Sequence, residues 1–379
     1  MKYFSSVRRR RFDQWWPVGS SRAARLAVVA GAALAMFGIV DAGGAHSSRT
    51  APPQFVRRYG NILLVGEQRF RFTGLNIYNA NSNGSCAYPM ATGDALARSL
   101  SALTGRNRVI RAWFFQNMAT TDGVRDWKAF DHTLAVARAH GVRVIPVLAN
   151  QWSNCDTSGF KNPNWYVSGY KLRADGDLVS YRSWVAAIGK RYRADPTILA
   201  WQLINEAQVS NDDGSCTVNG GAILKAWAAD VSTVLKAVDP RHLVSIGTVG
   251  DGRCGTTGRD YLSLYSLPTV DLCEYHDYGS LSPMPGYGEQ GLQTRIAQCN
   301  LLGKPLFVGE SGIRLDALAN VGERAAAFDR KFQAQFAAGV VGELVWNWDL
   351  YGSRAEFDVG PGDPTLNVLA RYGTPAPAQ

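Results

Sequence analysis

The apolar positions of the chain come in short runs, and from about residue 60 onward the runs recur in a fixed order. An apolar or β-branched run is followed by a polar loop and then by a stretch with helical spacing. Eight runs read as strands: Phe72–Tyr78, Arg108–Trp113, Val142–Leu148, Ile198–Asn205, Leu243–Gly247, Val270–His276, Leu306–Glu310 and Gly342–Trp346. Ile62–Val65, Gly66-Glu67 and Arg69–Phe72 read as a hairpin leading into the first of them. Helical periodicity marks Trp127–His140, Leu178–Ala194, Ala222–Val238 and Arg324–Ala338. Gly141 and Gly339 stand where a helix end takes a left-handed residue, and Asp195-Pro196 and Asp239-Pro240 stop the other two.

Strands that are apolar throughout, alternating with helices, are buried on both faces and therefore pair in parallel under a helical layer. Eight such units in roughly 300 residues predict an α/β protein, a (β/α)8 TIM barrel with an N-terminal hairpin and a single catalytic domain. A doubly wound open sheet is the rival. That fold carries a Gly-rich first turn, which Asn79-Ala80-Asn81-Ser82-Asn83-Gly84-Ser85-Cys86 does not supply. The expected domains are a leader or anchor over 1–45, a connector over 46–54 and the barrel over 55–379.

Composition alters this picture mainly at the N-terminus. The 379 residues are 46% hydrophobic and 19% charged, with a formal net charge of +9. Residues 1–45 hold seven basic side chains against Asp13 and Asp41, which leaves +4 for the remainder. The basicity is thus mostly that of a leader, and a nucleic-acid binder is not expected. Arg8-Arg9-Arg10-Arg11-Phe12, the apolar stretch Leu26–Val40 and the small residues Ala42–Ala45 are the parts of an export signal. The double arginine ahead of Phe12 also resembles a twin-arginine signal. The apolar stretch is shorter than the ~20 residues that span a bilayer, so cleavage is expected, with a retained membrane tether as the alternative. A secreted or cell-surface protein, monomeric, follows. Six cysteines lie beyond the leader, an even number that points to disulfides in an exported chain. Loop placement suggests Cys216 with Cys254 and Cys273 with Cys299.

In a parallel barrel the site forms at the C-terminal strand ends. The polar residues there are Asn76 and Tyr78, Arg111 and Trp113, Asn150-Gln151-Trp152, Asn205-Glu206, His276 with Tyr278, Glu310, and Trp346 with Trp348. Glu206 and Glu310 each end an otherwise apolar strand, where a carboxylate loses hydration. Two carboxylates flanking a substrate are what glycosidic cleavage needs, one protonating the leaving oxygen and the other attacking or activating water. A helix cap or an ion pair would explain one such Glu but strains to explain two. Arg111 could hold one carboxylate ionised, or form a structural salt bridge. Trp113, Trp152, Trp165 and Trp348 fall in predicted loops, where an indole face can carry a sugar ring; Trp184, Trp201 and Trp227 fit core positions. No HExxH, GxSxG or phosphate-binding loop is present, and two GxGxxG matches, at Gly250 and Gly286, lack the strand–turn–helix context.

Those motifs resemble the retaining endo-β-1,4-mannanases of glycoside hydrolase family 5. Thr197–Glu206, after Asp195-Pro196, resembles the acid/base strand, and Lys304-Pro305 through Glu310 the nucleophile strand. Gly74-Leu75-Asn76-x-Tyr78, Val109–Trp113, His276-Asp277-Tyr278 and Val345-Trp346 resemble strands one, two, six and eight, and Leu148–Trp152 resembles the Asn-Asn-Trp segment of the plant and fungal mannanases. The resemblance implies Glu206 as acid/base, Glu310 as nucleophile and Asn205 on the 2-hydroxyl. It places Arg111 and Tyr278 beside Glu310, His276 along the cleft and Trp346 on its floor; Trp113, Asn150 and Trp152 join them as substrate-binding candidates. It implies a polysaccharide substrate, β-mannan first, and no cofactor or metal. Glucan, xylan or an envelope glycan under the same chemistry, and a non-catalytic carbohydrate-binding barrel, are the alternatives. Gln151, Ala207 and Ser311 depart from the family pattern at positions expected to shape the cleft.

Overall fold

The apolar runs form eight parallel strands: β1 (Phe72–Asn76), β2 (Arg108–Trp113), β3 (Arg143–Val147), β4 (Ala200–Gln202), β5 (Leu243–Ser245), β6 (Cys273–Tyr278), β7 (Leu306–Gly312) and β8 (Gly342–Val345). The computed structural model describes residues 54–373 apart from 84–85, 87–88, 91, 279–280 and 351–355. The leader and all of the connector but Gln54 lie outside the described residues. Each strand pairs with its neighbour in sequence, and β8 pairs with β1. The ring closes between β5 and β6, where the Asp271 and Leu272 N–H groups donate to the Val244 carbonyl at 2.8 and 3.1 Å. The fold is the (β/α)8 barrel that the pattern predicts.

Eight helices follow the eight strands in turn: α1 (Ala95–Ala102), α2 (Lys128–Ala139), α3 (Tyr181–Tyr192), α4 (Gly220–Val238), α5 (Arg259–Tyr265), α6 (Leu292–Leu301), α7 (Val321–Ala337) and α8 (Thr365–Tyr372). The four with clear periodicity are α2, α3, α4 and α7. The others run 7 to 10 residues, two to three turns, too few for an amphipathic repeat to stand out. Gly141 and Gly339 take φ of +63° and +105° after α2 and α7, as the helix ends require. α3 begins three residues later than the pattern suggests because Ser180 Oγ accepts the Ser183 N–H at 3.3 Å and fixes the cap there.

The N-terminal hairpin has one more strand than the sequence pattern indicates: Val56–Tyr59 pairs with Ile62–Val65, which pairs with Gln68–Arg69. Gly60 and Gly66 open the two tight turns at φ of +56° and +59°. Pairing ends with the Phe70 N–H donating to the Leu63 carbonyl at 2.8 Å, and Phe72 already belongs to β1. Val56, Leu63 and Phe70 pack on a cluster that includes Phe72, Val109, Ile145, Phe307 and Leu344. The hairpin thus closes the N-terminal end of the barrel, and the opposite rim is left for the site.

All six cysteines pair: Cys86–Cys155, Cys216–Cys254 and Cys273–Cys299. The two pairings expected from loop placement are both present. Trp184, Trp201 and Trp227 are fully buried core residues, as their positions predict.

Candidate active site

Eight of the ten predicted site residues line one open cavity of about 560 Å³ at the C-terminal rim: Glu206, Glu310, Asn205, Tyr278, Trp346, Trp113, Asn150 and Trp152. Arg111 and His276 lie directly beneath it, buried. His276 therefore forms the bed under the two carboxylates rather than the wall of the cleft.

Local backbone irregularities aim both carboxylates inward. Along β7, Val308 pairs with Tyr275 but Glu310 pairs with His276, so Gly309 is an extra residue in the ladder. The same shift appears against β8, where Val308 faces Glu343 and Ser311 faces Val345. Strict alternation from the inward Phe307 would turn Glu310 outward; the bulge turns it back toward the axis. At the end of β4, Glu206 has φ +56°, a left-handed conformation that costs a non-glycine residue roughly 1–3 kcal/mol. Beyond Gln202 the chain stays in the ring through single bonds, with the Leu203, Ile204 and Asn205 N–H groups donating to Ser245, Ile246 and Ala149.

Each carboxylate has its own set of partners. Glu310 Oε1 accepts from Arg111 Nη1 at 2.6 Å, and Oε2 from the Tyr278 hydroxyl at 2.5 Å. Arg111 spends its remaining donors on Asn76 Oδ1 (2.9 Å), Asn205 Oδ1 (2.6 Å) and Gln202 Oε1 (2.7 Å), which locks the guanidinium in place. Glu206 Oε2 accepts the Trp152 indole N–H at 2.6 Å, and Oε1 lies 3.1 Å from His276 Nδ1. The same Nδ1 is 3.6 Å from Glu310 Oε2. Asn205 Nδ2 donates to Asn150 Oδ1 at 3.0 Å.

Burial works against a charged imidazole at His276. The Glu310 charge and the bonds to Glu206 and Glu274 outweigh it and push the pKa to about 10. Burial likewise works to raise Glu206, but hydrogen bonding and charge from His276, with the Trp152 bond, bring it down to about 2. Burial pushes Glu310 above the usual carboxylate range against the pull of His276 and Arg111. Glu206, His276 and Glu310 each offer an atom within 4.8 Å of the others, a grouping of the kind that can hold a metal ion. One imidazole between two carboxylates at these distances is also an arrangement suited to proton transfer.

Tyr78, Trp113 and Trp346 form an aromatic floor, with Tyr78 and Trp346 stacked at 5.9 Å and Trp113 6.0 Å from Trp346. Trp165 and Trp348 do not reach the cavity. Trp165 packs among Tyr166, Tyr181 and Trp227, and Trp348 is buried in the core. The three departures from the family pattern sit behind the wall: Gln151, Ala207 and Ser311 are fully buried and line no part of the cleft. Gln151 bonds Tyr166 and the Lys161 carbonyl at 2.5 and 2.8 Å, which turns it away from the rim. Sequence reasoning missed Asn154, Asn347 and the Cys86–Cys155 bridge as lining, since no periodicity marks loop residues. It also missed Gln202 and Glu274, which read as strand interior.

A (β/α)8 barrel with a buried and a partly buried carboxylate facing each other over an aromatic floor is the architecture of a glycoside hydrolase, and this chain is one. Residues 181–343 match the profile of the family described as "GH family 5 beta-mannosidase-like". A rice enzyme (Oryza sativa subsp. japonica), mannan endo-1,4-beta-mannosidase 7, is 28% identical over 299 residues, covering 65% of this chain and 76% of its own. The endo-1,4-beta-mannanase of Rhizomucor miehei superposes with a TM-score of 0.63 at 19% identity, over 85% of this chain and 98% of its own. A hyperthermophilic endocellulase from Pyrococcus horikoshii shares the fold at 14% identity and a TM-score of 0.59, over 85% of this chain and all of its own. The chain is a glycoside hydrolase similar to the family 5 endo-β-1,4-mannanases.

Proposed function

We propose that the protein is a secreted endo-β-1,4-mannanase that retains anomeric configuration. The observation that carries the reading is the separation of the two carboxylates: oxygens of Glu206 and Glu310 lie within 4.8 Å. Retaining enzymes place their carboxyl groups about 5–5.5 Å apart, and inverting ones about 6.5–9.5 Å to admit a water. Glu310, on its Arg111 and Tyr278 donors, attacks the anomeric carbon. The bond to the leaving oxygen breaks as Glu206 protonates it, which gives a glycosyl ester on Glu310. Glu206 then takes a proton from water, whose oxygen attacks the same carbon and releases Glu310.

Glu206 Oε1 and His276 Nδ1, 3.1 Å apart, share the proton the acid step needs: His276 and Trp152 favour the ionised carboxylate, and the surrounding carboxylates favour the charged ring. A sugar covering the pair removes water from Glu206 and raises its affinity for that proton. Asn205 faces the 2-hydroxyl, and Trp346 and Trp113 carry the ring beside it. Three disulfides support an oxidising compartment, in keeping with the export signal in residues 1–45. Mannan as substrate is supported by the names of the relatives in sequence.

The test is hydrolysis of mannan, cellulose and xylan oligomers, with the anomer of the first product followed by NMR. Preferential mannan cleavage with the β-anomer formed first is expected; an α-anomer would overturn the mechanism. A second reading, the same chemistry on a β-glucan, is favoured by the endocellulase that shares the barrel. Faster cleavage of cello-oligosaccharides in the same panel would select it.

A further inference from the structure

Beneath the cleft lies a third carboxylate that the double displacement does not use. Glu274 precedes His276 by two residues on β6, so strand alternation turns both into the barrel. It has no solvent exposure. Its surroundings consist of donors: Ser245 Oγ at 2.7 Å, the Gln202 side-chain amide bonded to both oxygens, and His276 Nε2 at 3.1 Å. The chain makes room for it at Gly309, where a Cβ would stand 2.1 Å from Glu274 Oε1. The glycine that forms the β7 bulge is thus also the gap that admits this carboxylate.

Two lines of hydrogen bonds rise from Glu274. One passes through His276 to Glu206. The other passes through Gln202, whose carbonyl oxygen accepts from Arg111, and so reaches Glu310. The first constrains where a proton can be. With the Nε2–H committed to Glu274, a bare Nδ1 lone pair would face a Glu206 carboxylate at 3.1 Å, two acceptors with nothing between them. One proton must therefore sit between Nδ1 and Glu206, on the ring or on the acid. Without an acceptor under Nε2 the ring could shed the Nε2 proton instead and stand neutral with its Nδ1–H toward Glu206, and a neutral imidazole does not hand that proton on.

We propose that Glu274 is a positioning residue of the hydrolase: a buried carboxylate that holds the Nε2 proton of His276 and so keeps the Nδ1 proton transferable to Glu206. The proposal rests on the assignment of Glu206 as acid/base. The charged or titratable groups that face His276 are Glu206 at the end of β4, Glu274 from its own strand and Glu310 from β7. Arg111 and Tyr278 act on it through Glu310. Asp277 points the other way, to Lys331 of α7. Tyr261 and Tyr265 of α5 stand behind Glu274, the first donating to its backbone carbonyl and the second bonded to Thr248.

Removing a negative charge lowers every proton affinity around it, so Glu274→Gln should slide the whole pH profile of kcat/KM to lower pH, by roughly one to three units on the alkaline side. The ring-nitrogen NMR titration of His276 should move down with it. Glu274→Asp keeps the charge and should leave the profile in place while lowering kcat. An unmoved profile and ring titration in Glu274→Gln, whatever its activity, would reduce Glu274 to a structural residue and overturn the proposal. So would a wild-type ring that loses its second proton below pH 7, a measurement that needs no variant to fold. If the protein cleaves no β-glycan the assignment of function fails, but the ring titrations still decide whether Glu274 holds that proton.

Discussion

Arg111 donates to Glu310 at 2.6 Å with both side chains almost wholly out of solvent, at 0% and 4% exposure. Breaking such a pair from one side strands a buried charge and destabilises a fold by roughly 3–5 kcal/mol. Arg111→Met should lower stability to urea by that order. It also withdraws a cation that favours ionised Glu310, so the acid limb of kcat/KM should move to higher pH. Arg111→Lys should restore little, because three donors on one nitrogen cannot serve Glu310, Asn76, Asn205 and Gln202 at once.

Glu310→Gln keeps the volume and the Tyr278 and Arg111 neighbours but cannot form a glycosyl ester. Turnover on mannan should fall on the order of 10⁴-fold or more, with the fold retained by circular dichroism. Near-normal hydrolysis by this variant would remove Glu310 from the role of nucleophile.

The barrel was legible because each strand had to be apolar on both faces, and that requirement leaves a pattern no loop can imitate. Glu206 and Glu310 were legible for the converse reason, as charges at the ends of such strands. What the pattern hid lies where alternation breaks or where partners come from distant strands. The Gly309 bulge re-aims Glu310 in a way no periodicity foretells. Glu274 and Gln202 looked like strand interior, since their partners Ser245, His276 and Arg111 come together only when the ring closes. Trp165, placed on the rim by its loop context, instead fills the space between Tyr181 and Trp227, because a short helix, Pro163–Val167, carries it there.

Trp152 offers a test with the opposite sign to that of Glu274. Its N–H at 2.6 Å favours ionised Glu206, so Trp152→Phe removes a bond to a charged acceptor worth about 1.5–3 kcal/mol. The Glu206 pKa should rise from about 2 by about one unit or more, read from the pH titration of its side-chain carboxyl carbon by NMR.

The Cys86–Cys155 bridge closes a loop of sequence separation 69, and both residues line the cleft. The chain-entropy relation assigns such a loop about 4 kcal/mol. Replacing both cysteines by serine should lower the melting temperature by roughly 6 °C. Because the bridge also walls the cleft, KM for mannan oligomers should rise more than kcat falls.

Glu343 carries the last prediction. It lies on β8, with no solvent exposure, and neither carboxyl oxygen has a hydrogen-bond partner among the described residues. Burial pushes its pKa well above the usual value, the Asp277 charge adds to this, and Lys331 opposes it while bonded to Asp277 at 2.8 and 3.0 Å. In the unfolded chain the group titrates near its ordinary value of about 4.3. Between that pH and the folded pKa the native state binds the extra proton, so stability falls as pH rises through the window. Glu343→Met, similar in volume and without a charge to desolvate, should therefore be more stable than the wild type at pH 7 and above, with the gap closing toward pH 4. Urea unfolding across that range checks it, and a gap that widened on acidification would show that the Glu343 carboxyl is ionised and paired in the native protein.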